Sequence, residues 1–166
     1  MPVGDSVTWG GGSSSGNGYR GPLREKLAAD GHPLDFVGTV RGGSMSDPDN
    51  EGHSGYKIHQ IAALADASLT RYRPNVVTLM IGTNDLNQSY QASTATARLR
   101  SLVAQITGAA PDATVLVASL VVSTSGSEEQ YRAAYNQAIP QPDGTQLQLW
   151  DCNGGSQQKW TALAAG

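Results

Sequence analysis

The 166-residue chain has one cysteine, one phenylalanine and 15% charged residues, and each shortage closes off a class of structure. Cys152 alone can form neither an internal disulfide nor a cysteine-based zinc site. The three histidines have no carboxylate partner at ligand spacing, so neither a catalytic metal nor a cofactor is expected. Eleven basic residues face 14 acidic ones, for a net charge of -3, and no run of like charge occurs. That balance points away from nucleic acid and anionic membrane as partners. The longest apolar stretches, residues 76–81 and 115–122, fall far below the roughly 20 residues that cross a bilayer. Met1-Pro2 opens no signal-peptide pattern, and a soluble chain is expected. A hydrophobic content of 39% over this length supports one core.

What is present alternates in period. Val3 reads as the end of a short first strand, followed by a Gly/Ser-rich loop at residues 10–18. Tyr19, Leu23, Leu27 and Ala28 recur at helical spacing, which predicts a helix over about residues 21–30. Residues 35–40 read as a strand and 41–50 as a polar loop. Ile58, Ile61, Ala62, Ala65 and Leu69 mark an amphipathic helix, and the apolar run 76–81 has the character of a parallel strand buried on both faces. A helix around Leu99 to Ile106, a buried strand at 114–120 and a helix at 128–139 complete the pattern. Such alternation predicts a doubly wound parallel α/β sheet in three layers, with ligand chemistry just past Val3, Ile81 and Leu120. The glycine loop is not a phosphate cradle, since no Gly-Lys-Ser/Thr follows and no acidic residue ends the second strand.

Gly4-Asp5-Ser6 follows one predicted strand and Gly82-Thr83-Asn84-Asp85 another, so both are delivered to one rim of the sheet. In order, they resemble the first and third sequence blocks of the SGNH/GDSL hydrolases, which use a flavodoxin-like sheet. The resemblance implies that Ser6 is a nucleophile and Asn84 an oxyanion donor. The second block is a glycine in a loop before a helix, and Gly55 of Glu51-Gly52-His53-Ser54-Gly55-Tyr56 aligns with it. Acyl transfer builds negative charge on a carbonyl oxygen and needs preorganised donors about 3 Å away. The N–H groups of Ser6 and Gly55 with the Asn84 amide would be three. The plainer readings are that Ser6 and Asn84 cap the segments they begin.

Met1 to Thr8, Asp35-Phe36-Val37-Gly38 and residues 50–58 further resemble carbohydrate esterase family three, the acetylxylan esterases. The likeness implies a secreted enzyme whose partner is a small-molecule or polysaccharide ester, and it covers roughly residues 1–140. The family's fourth block, an Asp-x-x-His, has no counterpart after Pro140, and no histidine follows His59. Truncation of the sheet's last strand is therefore expected. His53, near Gly55, is the one substitute base on offer, although a loop-stabilising hydrogen bond without a carboxylate partner is its expected role. Residues 141–166, with Gln148-Leu149-Trp150-Asp151-Cys152 and Gln158-Lys159-Trp160, resemble a piece of a ricin-type carbohydrate-binding module. They read as a second segment packed on the first, with residues 146–150 expected to replace the missing strand. Two functions are open: an acetyl esterase impaired by loss of the Asp-His pair, and a catalytically inactive remnant that at most binds carbohydrate.

Overall fold

In a computed structural model, which describes residues 1–123 and 126–139 and the strands at 146–149 and 158–163, the chain is a single mixed sheet with helices. Its first half runs β1 (Pro2–Gly4), α1 (Ser6–Trp9), α2 (Arg20–Ala29), β2 (Val40–Arg41), β3 (Asp49–Gly52) and α3 (Ile58–Tyr72). Its second half runs β4 (Val76–Met80), α4 (Thr83–Asn87), α5 (Ala95–Ala109), β5 (Thr114–Ala118), α6 (Gly126–Gln137), β6 (Gln146–Leu149) and β7 (Gln158–Leu163). The strand order is β2-β3-β1-β4-β5-β7-β6. The four strands β3, β1, β4 and β5 are parallel, and the antiparallel strands stand outside them.

The apolar run after Pro74 forms β4 at the centre, with Val77, Leu79 and Met80 buried. The Tyr19 hydroxyl meets the Thr78 hydroxyl at 3.1 Å, which ties the start of α2 to one face of β4. Side chains alternate along a strand, so Val77 and Leu79 face the other way, into the core that α3 and α5 close by packing on one another. Ile58, Ile61, Ala65 and Leu69 of α3 and Leu99, Leu102, Val103 and Ile106 of α5 supply its apolar stripes. No helix among the described residues is long and apolar enough to cross a membrane.

Two strands differ from the sequence-based reading. Residues 35–38 form no strand, because the Phe36 N–H donates to the Asp47 carboxylate at 2.7 Å and the Thr39 N–H to Glu51 at 2.9 Å. Side chains thus take the donors that a ladder would have used. The neighbour of β1 is instead β3, inside what reads as a polar loop, with Asn50 and Glu51 both buried. Asn50 satisfies itself locally, from Nδ2 to the Pro48 carbonyl at 2.9 Å and from the Gly52 N–H to Oδ1 at 2.9 Å. Polar residues paired this way can be buried at no great cost, and hydropathy does not reveal them.

The tail differs too. It is β7, not residues 146–150, that pairs with β5, and it does so antiparallel, with Val115 opposite Leu163 and Ala118 opposite Trp160. Strand β6 lies one place further out, on β7. Trp150 lies outside the described residues.

Candidate functional site

Ser6 sits where β1 ends and α1 begins. The Asp5 carboxylate caps α1 by accepting the Val7 N–H at 3.0 Å, which fixes the sharp strand-to-helix turn. Asp5 is fully buried, and burial pushes its carboxyl up to about 7, assisted by the nearby charges of Glu128 and Asp85 and opposed by the Val7 N–H and the Thr83 hydroxyl. The far end of α1 is held by Arg20, whose guanidinium donates to the carbonyls of Thr8 (2.9 Å), Trp9 (2.9 Å), Gly42 (2.9 Å) and Pro48 (3.1 Å). It thereby ties α1 to the loop before β3. Burial lowers the Arg20 pKa from its usual high value.

The strand register gathers the other segments around Ser6. Gly4 is opposite Gly52 on one side and Met80 on the other, so the chain leaves β1, β3 and β4 along one edge, with Ser6 on the middle strand. Neighbouring strands are about 4.8 Å apart, which brings Ser6, the 53–56 turn and Thr83-Asn84 onto one rim. The His53 N–H donates to the Gly4 carbonyl at 2.9 Å, and the Tyr56 N–H closes a turn on the His53 carbonyl at 3.1 Å. Gly55, at φ 81°, takes the left-handed position in that turn, which favours a residue without Cβ. Asn84 reaches across, its Nδ2 donating to the Tyr56 carbonyl at 2.9 Å. A carboxamide has two N–H donors, and the second has no partner among the described residues.

His53 does have a carboxylate partner, contrary to the expectation from sequence. Its Nε2 lies 2.7 Å from Glu51 Oε1, and Glu51 is only 1% exposed. The Thr39 N–H (2.9 Å) and hydroxyl (2.7 Å) hold Glu51 from the other side, and the imidazole stacks on Tyr56 with centroids 4.8 Å apart. The pair was hidden because residues 49–52 read as loop; on a strand, residues two apart share a face.

Asp85, Arg98 and Tyr135, to which the sequence reading gave no role, also shape this rim. Asp85 is fully buried, accepts the N–H of Ile58 at the first turn of α3 at 3.0 Å, and pairs with Arg98 at 2.7 Å. A carboxylate at a helix start complements the helix dipole, and here it fixes the residue after Asn84. The Tyr135 hydroxyl, from α6, donates to the Ile81 carbonyl at 2.8 Å just before Gly82, and burial raises its pKa well above the usual phenol value. His32 and His59 take no part in this rim, and among the described residues no group of three His, Cys, Asp or Glu side chains could hold a metal ion.

These features have counterparts in known proteins. A family 3 carbohydrate esterase of Clostridium thermocellum superposes with a TM-score of 0.75 at 37% identity, over 84% of this chain and 67% of that one. A family 3 carbohydrate esterase from Talaromyces cellulolyticus gives 0.69 at 28% identity, over 84% and 69%. A mutant acetyl esterase solved with an acetate ion gives 0.69 at 26%, again over 84% and 69%. None of the curated proteins matches the chain. The model of the GDSL-like lipase/acylhydrolase family matches residues 3–164. A mostly parallel sheet that presents Gly-Asp-Ser at the end of β1, with these esterase relatives, makes the chain a carboxylic ester hydrolase belonging to the GDSL-like lipase/acylhydrolase family.

Proposed function

We propose that the protein is a serine esterase that removes acetyl or other short acyl groups from xylan-like carbohydrate. Ser6 Oγ attacks the ester carbonyl carbon, and the N–H groups of Ser6 and Gly55 with the free N–H of Asn84 receive the negative charge on the carbonyl oxygen. The alcohol leaves as the tetrahedral intermediate collapses to an acyl-serine, which water then hydrolyses. The observation that supports this reading is the register of Gly4 between Gly52 and Met80, by which the chain leaves β3 and β4 on either side of the strand that leads to Ser6. The substrate class rests on the names of the family 3 carbohydrate esterases. Since such a polymer is met outside the cell, the reading carries secretion with it.

A serine hydroxyl is a poor nucleophile unless a neighbour accepts its proton. No histidine follows His59, so the Asp-x-x-His that performs this step in the family is absent from the chain. We read residues 1–140 as the hydrolase segment and 141–166 as a carbohydrate-module fragment joined to it where that block belongs. His53, oriented by Glu51, is the substitute base this chain offers. Turnover is therefore low, though an oxyanion hole and binding alone sustain roughly 10³–10⁴-fold acceleration over water in serine hydrolases stripped of triad members. The missing block also favours the second reading, an inactive remnant that at most binds carbohydrate.

Hydrolysis of an activated acetyl ester separates the two. A Ser6→Ala substitution that lowers the rate to the buffer background establishes the esterase, whereas equal rates for both proteins establish the remnant. His53→Ala locates the base: a loss as large as that of Ser6→Ala assigns the proton to His53, and a small one confines it to bracing the loop.

A further inference from the structure

Trp9 is a large aromatic residue that nothing in the ester chemistry uses, and it is 39% exposed. It ends the helix that Ser6 begins, three residues on, which in helical geometry sets the two side chains about 5–6 Å apart at Cβ on neighbouring positions. Its backbone is held firmly. The Trp9 N–H donates to the Asp5 carbonyl at 3.0 Å, and Arg20 donates to the Trp9 carbonyl at 2.9 Å.

The indole lies against Gly42, where an added Cβ would come within 2.9 Å of Nε1. Gly42 is itself fixed by Arg20 through its carbonyl and by its N–H to Pro48 at 3.0 Å. One edge of the ring therefore rests on rigid backbone while the remainder meets solvent.

We infer that Trp9 is a specificity-determining residue that stacks on the apolar face of the pyranose ring carrying the ester, one helical turn from the serine that attacks it. The inference rests on the esterase reading and deepens it. A sugar ring presents C–H groups on one face and hydroxyls at its rim. An exposed indole backed by Gly42 complements the C–H face at small entropic cost, because one edge of the ring already rests on fixed backbone. A short acyl group alone has no such face, so Trp9 discriminates the carbohydrate part of the substrate rather than the ester bond.

The test measures binding without turnover. In Ser6→Ala protein, affinity for acetylated xylo-oligosaccharides is measured by calorimetry or NMR titration, then again with Trp9→Ala, Trp9→Tyr or Gly42→Ala added. Loss of about tenfold or more with Trp9→Ala, retention within about threefold with Trp9→Tyr, and a loss with Gly42→Ala, whose methyl displaces the indole, support the inference. Unchanged affinity in Trp9→Ala, or no binding by the Ser6→Ala parent, overturns it. If Trp9→Ala does not fold, equal affinities for the parent and Gly42→Ala overturn it as well. Ester hydrolysis that does not depend on Ser6 defeats the esterase reading by a separate measurement and leaves the binding comparison intact.

Discussion

Asp5 is a carboxyl group that the fold removes from water, and this gives the protein a pH dependence that can be assigned to one residue. Its pKa rises from 3.8 to about 7 on folding, chiefly through burial. The sign follows from linkage: the native state prefers the protonated form, so the contribution is fully present below about pH 4 and is lost as pH rises through about 7. Every tenfold difference in proton affinity between the folded and unfolded chain is worth about 1.4 kcal/mol, so the effect is large enough to measure. Asparagine caps helices as well as aspartate and carries no charge. Urea denaturation of Asp5→Asn is therefore expected to show stability varying less between pH 4 and 7 than in the parent; an identical slope in both proteins would assign the dependence elsewhere. Gly-Asp-Ser was legible in the sequence at once, whereas the state of its aspartate was not, because its burial and the nearby charges of Glu128 and Asp85 arise only when segments distant in the chain meet.

At the scale of elements, the rim depends on contacts between one strand's exit and the next helix's start. Asp85 joins α4 to the first turn of α3 and to Arg98 of α5. Replacing it with alanine leaves the Arg98 guanidinium without its carboxylate and the Ile58 N–H without its acceptor. Breaking a buried ion pair from one side costs about 3–5 kcal/mol, and Arg98 at 18% side-chain exposure lies toward the lower end. Denaturant titration of Asp85→Ala should show this loss, and the double variant with Arg98→Met should recover part of it. A smaller device holds the 53–56 turn: Glu51→Gln keeps a hydrogen-bonding group beside His53 but removes its charge, and a lower melting temperature together with a lower rate of ester hydrolysis is expected. A change in neither would leave the Glu51–His53 pair without a role.

For the whole molecule, the question is what closes the sheet beyond β5. Strand β7 does so antiparallel, and β6 follows on its outer side. Removing both by truncation after Pro140 exposes the backbone donors and acceptors of Val115, Leu116, Val117 and Ala118, a row that templates association with other chains. Aggregation, or a clear drop in melting temperature, is the expected outcome; a soluble protein melting unchanged would show that the tail contributes nothing to the fold.

Sequence alone determined the elements whose hydrophobic period is strong and local. The helices carrying Ile58, Ile61, Ala65 and Leu69 and then Leu99, Leu102 and Ile106, and the strands at Val77 and Val115, follow from it. The Ser6, Gly55 and Asn84 blocks, on which the proposed chemistry rests, are legible in residue type and order alone. Tertiary structure alone decided that the polar segment Asp49–Gly52 is the strand beside β1, because its burial is made tolerable by partners such as Thr39 and Pro48 that periodicity cannot pair with it. It decided likewise that His53 has a carboxylate, that Asp85 anchors α3, and that β7 rather than the earlier segment lies against β5. Apolar spacing is written along the chain, whereas the partners of a buried polar group and the neighbour of a strand are set only when distant segments meet.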